Sequence, residues 1–397
     1  MLLQDAPSSG RSESPPHRRR WPLAAAIVAV ALAIAVALPA VDGRQATPSA
    51  DPVTDPVADD AVDTGAAGDA ADPASPEVIG YVPYWEQEAA IADVAANRRL
   101  LTTAAPWWYA PTRDGDVVEQ HPAYTDTGAA AVTRLRSQGV RIMPTIANHR
   151  DGEWDFEVVP ALLADAGARA RHVQGLADLA ADRHFDGIVI DYELLRAQDR
   201  DAFTAFVTAL ADALHADGRR LAVALHAQRT DAGDGEHNQA QDYAAIGAAV
   251  DELHLMTFNQ HYNESPPGPI APLPWVSDVV AYTIARVPAH KVILGIGLFG
   301  YDWGDGPVAE DLQLTGVDLR IAMTGGTPAF DERAASPYLR YMRDGVDHEL
   351  WYEDARSVEA KLALVDRHGL GGAFFWRLGA VPDGIWRAAA RQLDATS

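Results

Sequence analysis

The segment Asp186-Gly187-Ile188-Val189-Ile190-Asp191-Tyr192-Glu193 ends an apolar run in two carboxylates. Its β-branched run predicts a short buried strand. Side chains alternate along a strand, so Val189, Asp191 and Glu193 share one face. Asp191 and Glu193 are then neighbours at the strand's C-terminal end. Two carboxyl groups this close push their pKa values apart, and one stays protonated near neutral pH as a proton donor. The plainer alternative is a strand end with two solvated acids, and the rest of the chain bears on the choice.

Short apolar runs alternate with Ala-rich helical stretches from Val78 onward. The candidate strands are Val78–Pro83, Thr102–Tyr109, Arg141–Ala147, Gly187–Asp191, Leu221–Leu225, Glu252–Phe258, Val292–Leu298 and Gly372–Trp376. Strand–helix alternation predicts parallel strands with crossover helices. Eight such units fit an α/β fold of the (β/α)8 TIM-barrel kind, which carries its reactive groups at the strands' C-terminal ends. Asp201–Ala216 is a clear helix, with Phe203, Phe206, Val207, Leu210 and Leu214 on one stripe. Between strands seven and eight, Tyr338–Met342, a turn at Arg343-Asp344-Gly345 and His348–Tyr352 predict a small β-hairpin excursion walling one side of the cleft.

The acidic string resembles the signature of family 18 glycoside hydrolases, the chitinase family, usually Asp-Gly-x-Asp-x-Asp-x-Glu. Asp186, Asp191 and Glu193 match it. Other segments resemble the family's spore-cortex-lytic and germination-associated branch. They are Val78–Trp85 at strand one, Lys291–Trp303 at strand seven, His348–Ser357 before the last helix, and Gly371–Gly379 at strand eight. The resemblance covers about residues 77–397 and implies a retaining, substrate-assisted hydrolase. Carried onto this chain, Glu193 protonates the glycosidic oxygen while the substrate's 2-acetamido carbonyl attacks the anomeric carbon. Asp191 orients the acetamide N–H. Asp186 is grouped with them, although holding the strand suits it better than chemistry. Trp376 matches the family's sugar platform. Tyr81, Trp85, Trp108, Met256, Phe258, Asn259 and Tyr301 are the further candidate substrate contacts, and Tyr84, Trp107 and Trp303 also fall near predicted C-terminal strand ends. The implied partner is a polymer containing N-acetylglucosamine, with no cofactor and no metal.

Two positions depart from the pattern. Val189 stands where a carboxylate would neighbour Asp191. Leu255-Met256-Thr257-Phe258-Asn259 resembles the family's Met-x-Tyr-Asp motif, but Phe258 replaces the tyrosine and Asn259 the aspartate. The family's tyrosine hydroxyl contacts the acetamide, and Phe cannot donate. Tyr262, Tyr301 or Gln260 could supply the missing group. A catalytically weakened carbohydrate-binding protein is therefore the second reading.

The 397-residue chain carries a net charge of −24, with Lys291 and Lys361 as its lysines. Such acidity argues against nucleic acid as a partner. The absence of cysteine excludes disulfides and thiolate metal sites. His226, His254, His261 and His348 are too scattered for a metal motif. Residues 1–20, ending in His17-Arg18-Arg19-Arg20, are expected to be a basic cytoplasmic tail. Residues 21–41 are an apolar run long enough to span a bilayer, read as a transmembrane signal anchor or a cleaved signal peptide. Residues 42–76, rich in Ala, Asp and Pro, are expected to be a disordered acidic linker. The expectation is an extracytoplasmic monomer, membrane-anchored or secreted.

Overall fold

The computed structural model describes residues 75–120, 129–150, 152–233 and 235–393. The tail, the apolar span and nearly all of the expected linker lie outside the described residues. No helix among the described residues is long and apolar enough to cross a membrane.

Eight parallel strands close into a barrel: β1 Glu77–Pro83, β2 Thr103–Pro111, β3 Thr145–Ala147, β4 Gly187–Asp191, β5 Arg220–His226, β6 Glu252–Met256, β7 Val292–Gly297 and β8 Gly372–Trp376. Each pairs with the next, and β8 returns to β1 through Ile79↔Phe374. Crossover helices cover the outside. The longest after β4, Arg200–Ala216, buries Phe203, Phe206, Val207, Leu210 and Leu214 as its stripe requires. Inside the barrel, small residues make room for large ones. A Cβ at Gly295 would stand 2.7 Å from the ring of Phe374 and 2.5 Å from Leu255 O, so only glycine fits there.

Strand boundaries differ from expectation where local chemistry intervenes. The third strand is split into Arg141–Ile142 and β3, since Pro144 has no N–H for the ladder. β6 stops two residues short of Phe258, because Thr257 turns its hydroxyl onto Gly295 O at 2.6 Å and Asn259 takes a left-handed backbone with φ 63°.

The excursion is larger than a hairpin. Glu310–Gln313, Phe299–Trp303, Val346–Tyr352, Ser336–Arg343 and Ala329–Asp331 form, in that spatial order, a five-stranded sheet, accompanied by helix Leu314–Thr324. The expected hairpin sits in its middle, with Arg343 opposite Val346. Its turn is the pair Asp344-Gly345, with φ 54° and 83°, the type I′ signature that matches strand twist. The excursion supplies no side chain to the lining of the main cleft. It supports the wall from behind, through Phe299 against Phe258 and the cluster that backs Trp376.

A buried ion pair ties this sheet to the barrel. Lys361 Nζ lies 2.8 Å from Glu353 Oε2, and both side chains are 1% exposed. Ser357 Oγ also donates to Glu353 (2.6 Å), and Glu353 N donates to Phe299 O at the excursion's start. Removing one partner leaves a buried charge without its counter-ion. Lys361→Met is expected to destabilise the fold by about 3–5 kcal/mol in urea titration. A loss below about 1 kcal/mol would mean that the pair contributes nothing the surroundings cannot replace.

Candidate active site

The C-terminal ends of the strands open into a cleft of about 760 Å³. Of the residues singled out from the sequence, Asp191, Glu193, Tyr81, Met256, Phe258, Asn259 and Trp376 line it. They come from β4, β1, β6 with its following loop, and β8, so the barrel joins segments that are up to 295 residues apart, from Tyr81 to Trp376.

Asp191 is 5% exposed. Its Oδ2 accepts from Trp107 Nε1 at 3.0 Å, while its buried Oδ1 has no partner. Burial raises its pKa to about 6, opposed by the Trp107 hydrogen bond and by the charge of His254. Glu193 keeps 19% of its side chain exposed toward the cleft. Loss of water around it, then the neighbouring Asp191 charge, push its pKa well above the usual carboxyl range. The pair is therefore split, with Asp191 ionising first and Glu193 holding its proton longer.

Backbone contacts fix Glu193. The Asn148 side chain just beyond β3 grips it on both sides: Glu193 N donates to Asn148 Oδ1 (2.8 Å), and Asn148 Nδ2 donates to Glu193 O (2.9 Å). The next residue, Leu194, turns the chain with φ 61°. Beneath the cleft, Tyr81 is anchored by a buried polar column. Its hydroxyl meets His254 Nδ1 at 2.7 Å, His254 Nε2 meets Glu252 Oε2 at 3.0 Å, and Arg220 reaches both Glu252 (2.6 Å) and Glu77 (3.1 Å). Trp376 forms the aromatic floor, edge-on to Tyr81 at 5.5 Å and to Trp107 at 5.8 Å. The Trp376–Arg377 peptide bond is cis.

Four expected residues stand elsewhere. Asp186 precedes β4 at the opposite end of the barrel, about 16 Å along the strand from Asp191. Its carboxylate accepts from Ile142 N at 2.7 Å, which fastens the start of β4 to the Arg141–Ile142 segment. Trp108 is fully buried and does not line the cleft; it sits at a register irregularity of β2 between Trp107 and Tyr109, and its neighbour Trp107 is the one that reaches Asp191. Tyr301 is 6% exposed, and its hydroxyl donates to Asn259 Oδ1 (3.1 Å) behind the cleft wall. Trp85, 36% exposed, sits at the rim against Trp107 and under Arg377. Trp107, one of the aromatics expected near the strand ends, reaches Asp191; conversely, Asn148, Trp154, His226 and Trp275 belong to the site or its lining without having been singled out for it. Of the histidines considered for a metal, His254 serves the polar column, His261 holds Pro266 O, and His348 pairs with Asp302 in the excursion.

A closed (β/α)8 barrel whose fourth strand leads into a carboxyl pair, set in an aromatic cleft, is an arrangement that suits a glycosidase. The sequence profile of glycosyl hydrolases family 18 matches residues 77–380. YdhD of Bacillus subtilis (strain 168) is 32% identical over 294 residues, covering 71% of this chain and 68% of YdhD. The cortical fragment-lytic enzyme of the same organism is 31% identical over 261 residues, covering 63% of this chain and 61% of that enzyme. Among solved structures, chitinase from Chromobacterium violaceum ATCC 12472 superposes with a TM-score of 0.74 at 30% identity, over 80% of this chain and 99% of that one. The chain belongs to glycosyl hydrolases family 18.

Proposed function

We propose that this glycosidase cleaves β-1,4 bonds of polymers containing N-acetylglucosamine, with peptidoglycan favoured over chitin, by a retaining, substrate-assisted mechanism. The observation that carries the reading is the buried Oδ1 of Asp191, without a protein partner, beside the carboxyl group of Glu193, whose pKa burial raises. A carboxylate oxygen without a protein donor, lining a cleft, suits an N–H from the ligand. The 2-acetamido group supplies one. Glu193 is then the acid that protonates the leaving oxygen and, as carboxylate, the base for water. Asp191 holds the acetamide so that its carbonyl attacks the anomeric carbon, and it balances the positive charge of the oxazolinium-type intermediate. Trp376 offers a flat face to the sugar's C–H surface.

The relatives' names, a cortical fragment-lytic enzyme and a chitinase, keep both a cortex glycan and chitin in view. The expected anchor or signal ahead of the barrel would place the enzyme outside the cytoplasm, at the wall, tethered or released. The test is product analysis by mass spectrometry after incubating the full-length chain with peptidoglycan sacculi and with chitin oligosaccharides. New reducing ends on N-acetylglucosamine support the reading and identify the polymer; intact glycans in both incubations overturn it.

The clamp on Glu193 yields a prediction. Asn148→Ala removes both side-chain contacts to the Glu193 backbone and loosens the acid. It is expected to lower kcat by about 10- to 100-fold with a smaller change in KM, since misplacement by about 1 Å carries penalties of that order. Equal kcat in parent and variant would mean that Leu194 and the strand hold the acid unaided.

Phe258 favours a weaker enzyme as the second reading. It lines the cleft but has no hydroxyl, and the Tyr301 hydroxyl is occupied by Asn259. Gln260 and Tyr262, which also line the cleft, remain as replacement donors. Phe258→Tyr is expected to raise kcat by about 10-fold or more if no replacement acts. An unchanged rate would assign the role to Gln260 or Tyr262.

A further inference from the structure

His226 ends β5 directly beside the end of β4. Its Nε2 lies 3.5 Å from Glu193 Oε2 and has no hydrogen-bond partner. The ring is presented by a fixed backbone. His226 N donates to Gln241 Oε1 at 2.8 Å, and the Tyr243 hydroxyl donates to His226 O. Gln241 and Tyr243 are themselves buried. Two residues on, Gln228 Nε2 donates to Asn238 O at 2.6 Å, closing the loop around the site. Catalytic contacts in a ligand-free site are often long and tighten around substrate, so 3.5 Å is within reach of a hydrogen bond.

We infer that His226, as the Nε2–H tautomer, is the positioning residue of Glu193: it donates to Oε2, places the acid's proton on Oε1, and stabilises the carboxylate left when that proton departs. The inference rests on the reading of Glu193 as the acid. The proton on Oε1 passes to the glycosidic oxygen as the C–O bond breaks, and Glu193 becomes an anion. The Nε2–H bond stays intact and its hydrogen bond strengthens. In the second half, Glu193 takes a proton from the attacking water and returns to its starting state. The imidazole transfers nothing, so no co-reactant is required.

The electrostatics agree with this role. Burial, and then the charge of His237, hold His226 at about 4, so the ring is neutral wherever Asp191 is ionised. A neutral ring does not cancel the charge of Asp191 and leaves the acid's proton in place. The titratable and charged groups facing the pair are Asp191 from β4, Tyr81 from β1, His237 from helix Glu236–Gln239, Arg229 after β5 and Tyr262 after β6.

Two variants of the full-length chain test this, on whichever glycan the parent cleaves. His226→Phe keeps a ring without a donor, and His226→Gln keeps an N–H. For Phe, kcat is expected to fall about 10- to 100-fold with KM within about twofold, and the alkaline limb of kcat to move to higher pH. The direction follows because a donor to an anion lowers that acid's pKa. Gln is expected to recover most of the rate and return the limb toward the parent's position. A Phe variant with kcat within twofold and an unmoved limb overturns the inference. So does a Gln variant as slow as Phe with the limb unmoved, which would indicate packing alone. The contact is also read without turnover, by following the His226 ring protons in NMR titrations. An inflection on the alkaline side that vanishes in Glu193→Gln supports it, and its absence from the parent overturns it. No cleavage by the parent would count against the hydrolase reading, while the NMR result would still decide the contact.

Discussion

Glu193→Gln is expected to bind N-acetylglucosamine oligosaccharides as tightly as the parent and to release reducing ends at least about 10³-fold more slowly. The substitution is nearly isosteric. The Asn148 clamp acts on the backbone, so the new amide occupies the old carboxyl position without a proton to give. Binding by isothermal titration and product release by reducing-end assay separate the two effects. Equal turnover in parent and variant would remove Glu193 from the chemistry. The same variant should also be the more stable protein at neutral pH. Burial raises the folded-state pKa of Glu193, so between the ordinary carboxyl value and that raised value the folded state holds a proton the unfolded state has lost. Stability therefore falls as pH rises through that window. Gln carries no such penalty. Thermal melts should converge at acidic pH, where both states are protonated, and diverge in favour of Gln above it.

That cost indicates which parts of the molecule could be read in advance. The strands and the helix Arg200–Ala216 follow from local rules, because β-branched runs and a 3.6-residue stripe state their own conformation. The carboxyl pair was equally visible, since Asp191 ends β4 and Glu193 follows two residues on, where continued alternation puts them together. Trp107 was not distinguishable from Trp108. Both are large and apolar, so the pattern gives no parity, and only pairing of β2 with β1 and β3 turns Trp107 inward. Asn148 and His226 share this character. Each acts across a strand boundary on Glu193, 45 and 33 positions away, and nothing local in an isolated Asn or His announces the partner. Asp186 erred in the opposite direction. A signature groups residues by their place in a string, whereas a strand of five residues separates its two ends by the height of the barrel.

The excursion shows the same division on a larger scale. Asp344-Gly345 specifies its turn through positive φ at both positions, and the hairpin was legible from that pair. Its neighbours were not. Phe299–Trp303 follows β7 almost without a break and carries Phe299, Tyr301 and Trp303, so it reads as a continuation of the barrel strand. The structure instead pairs it antiparallel to Val346–Tyr352, which makes it the link between barrel and sheet.

Asp191→Asn is expected to lower kcat by about 10²- to 10³-fold and to abolish the acid limb of the parent's pH–rate profile. Asn keeps the shape and an acceptor oxygen, but it cannot balance the charge that develops as the acetamide closes on the anomeric carbon. In the parent, rate should rise as Asp191 ionises around pH 6 and fall once Glu193 loses its proton at higher pH. The working form lies between, with one carboxyl ionised and the other not, and the observed limbs belong to the pair. An Asp191→Asn variant that kept an acid limb near pH 6 would assign that limb to another group. Val189 adds a directional check. It is fully buried, two residues before Asp191 on the same face of β4. A carboxylate there would place a like charge beneath Asp191 and raise its pKa further, so Val189→Asp should move the acid limb upward. The present arrangement has the opposite sign: the charged neighbour that acts on Asp191 from below is His254, which lowers its pKa. Replacing a carboxylate by valine there keeps Asp191 ionised at lower pH than a three-carboxylate string would allow. Overlaid pH profiles for parent and Val189→Asp would show that the two positions do not communicate.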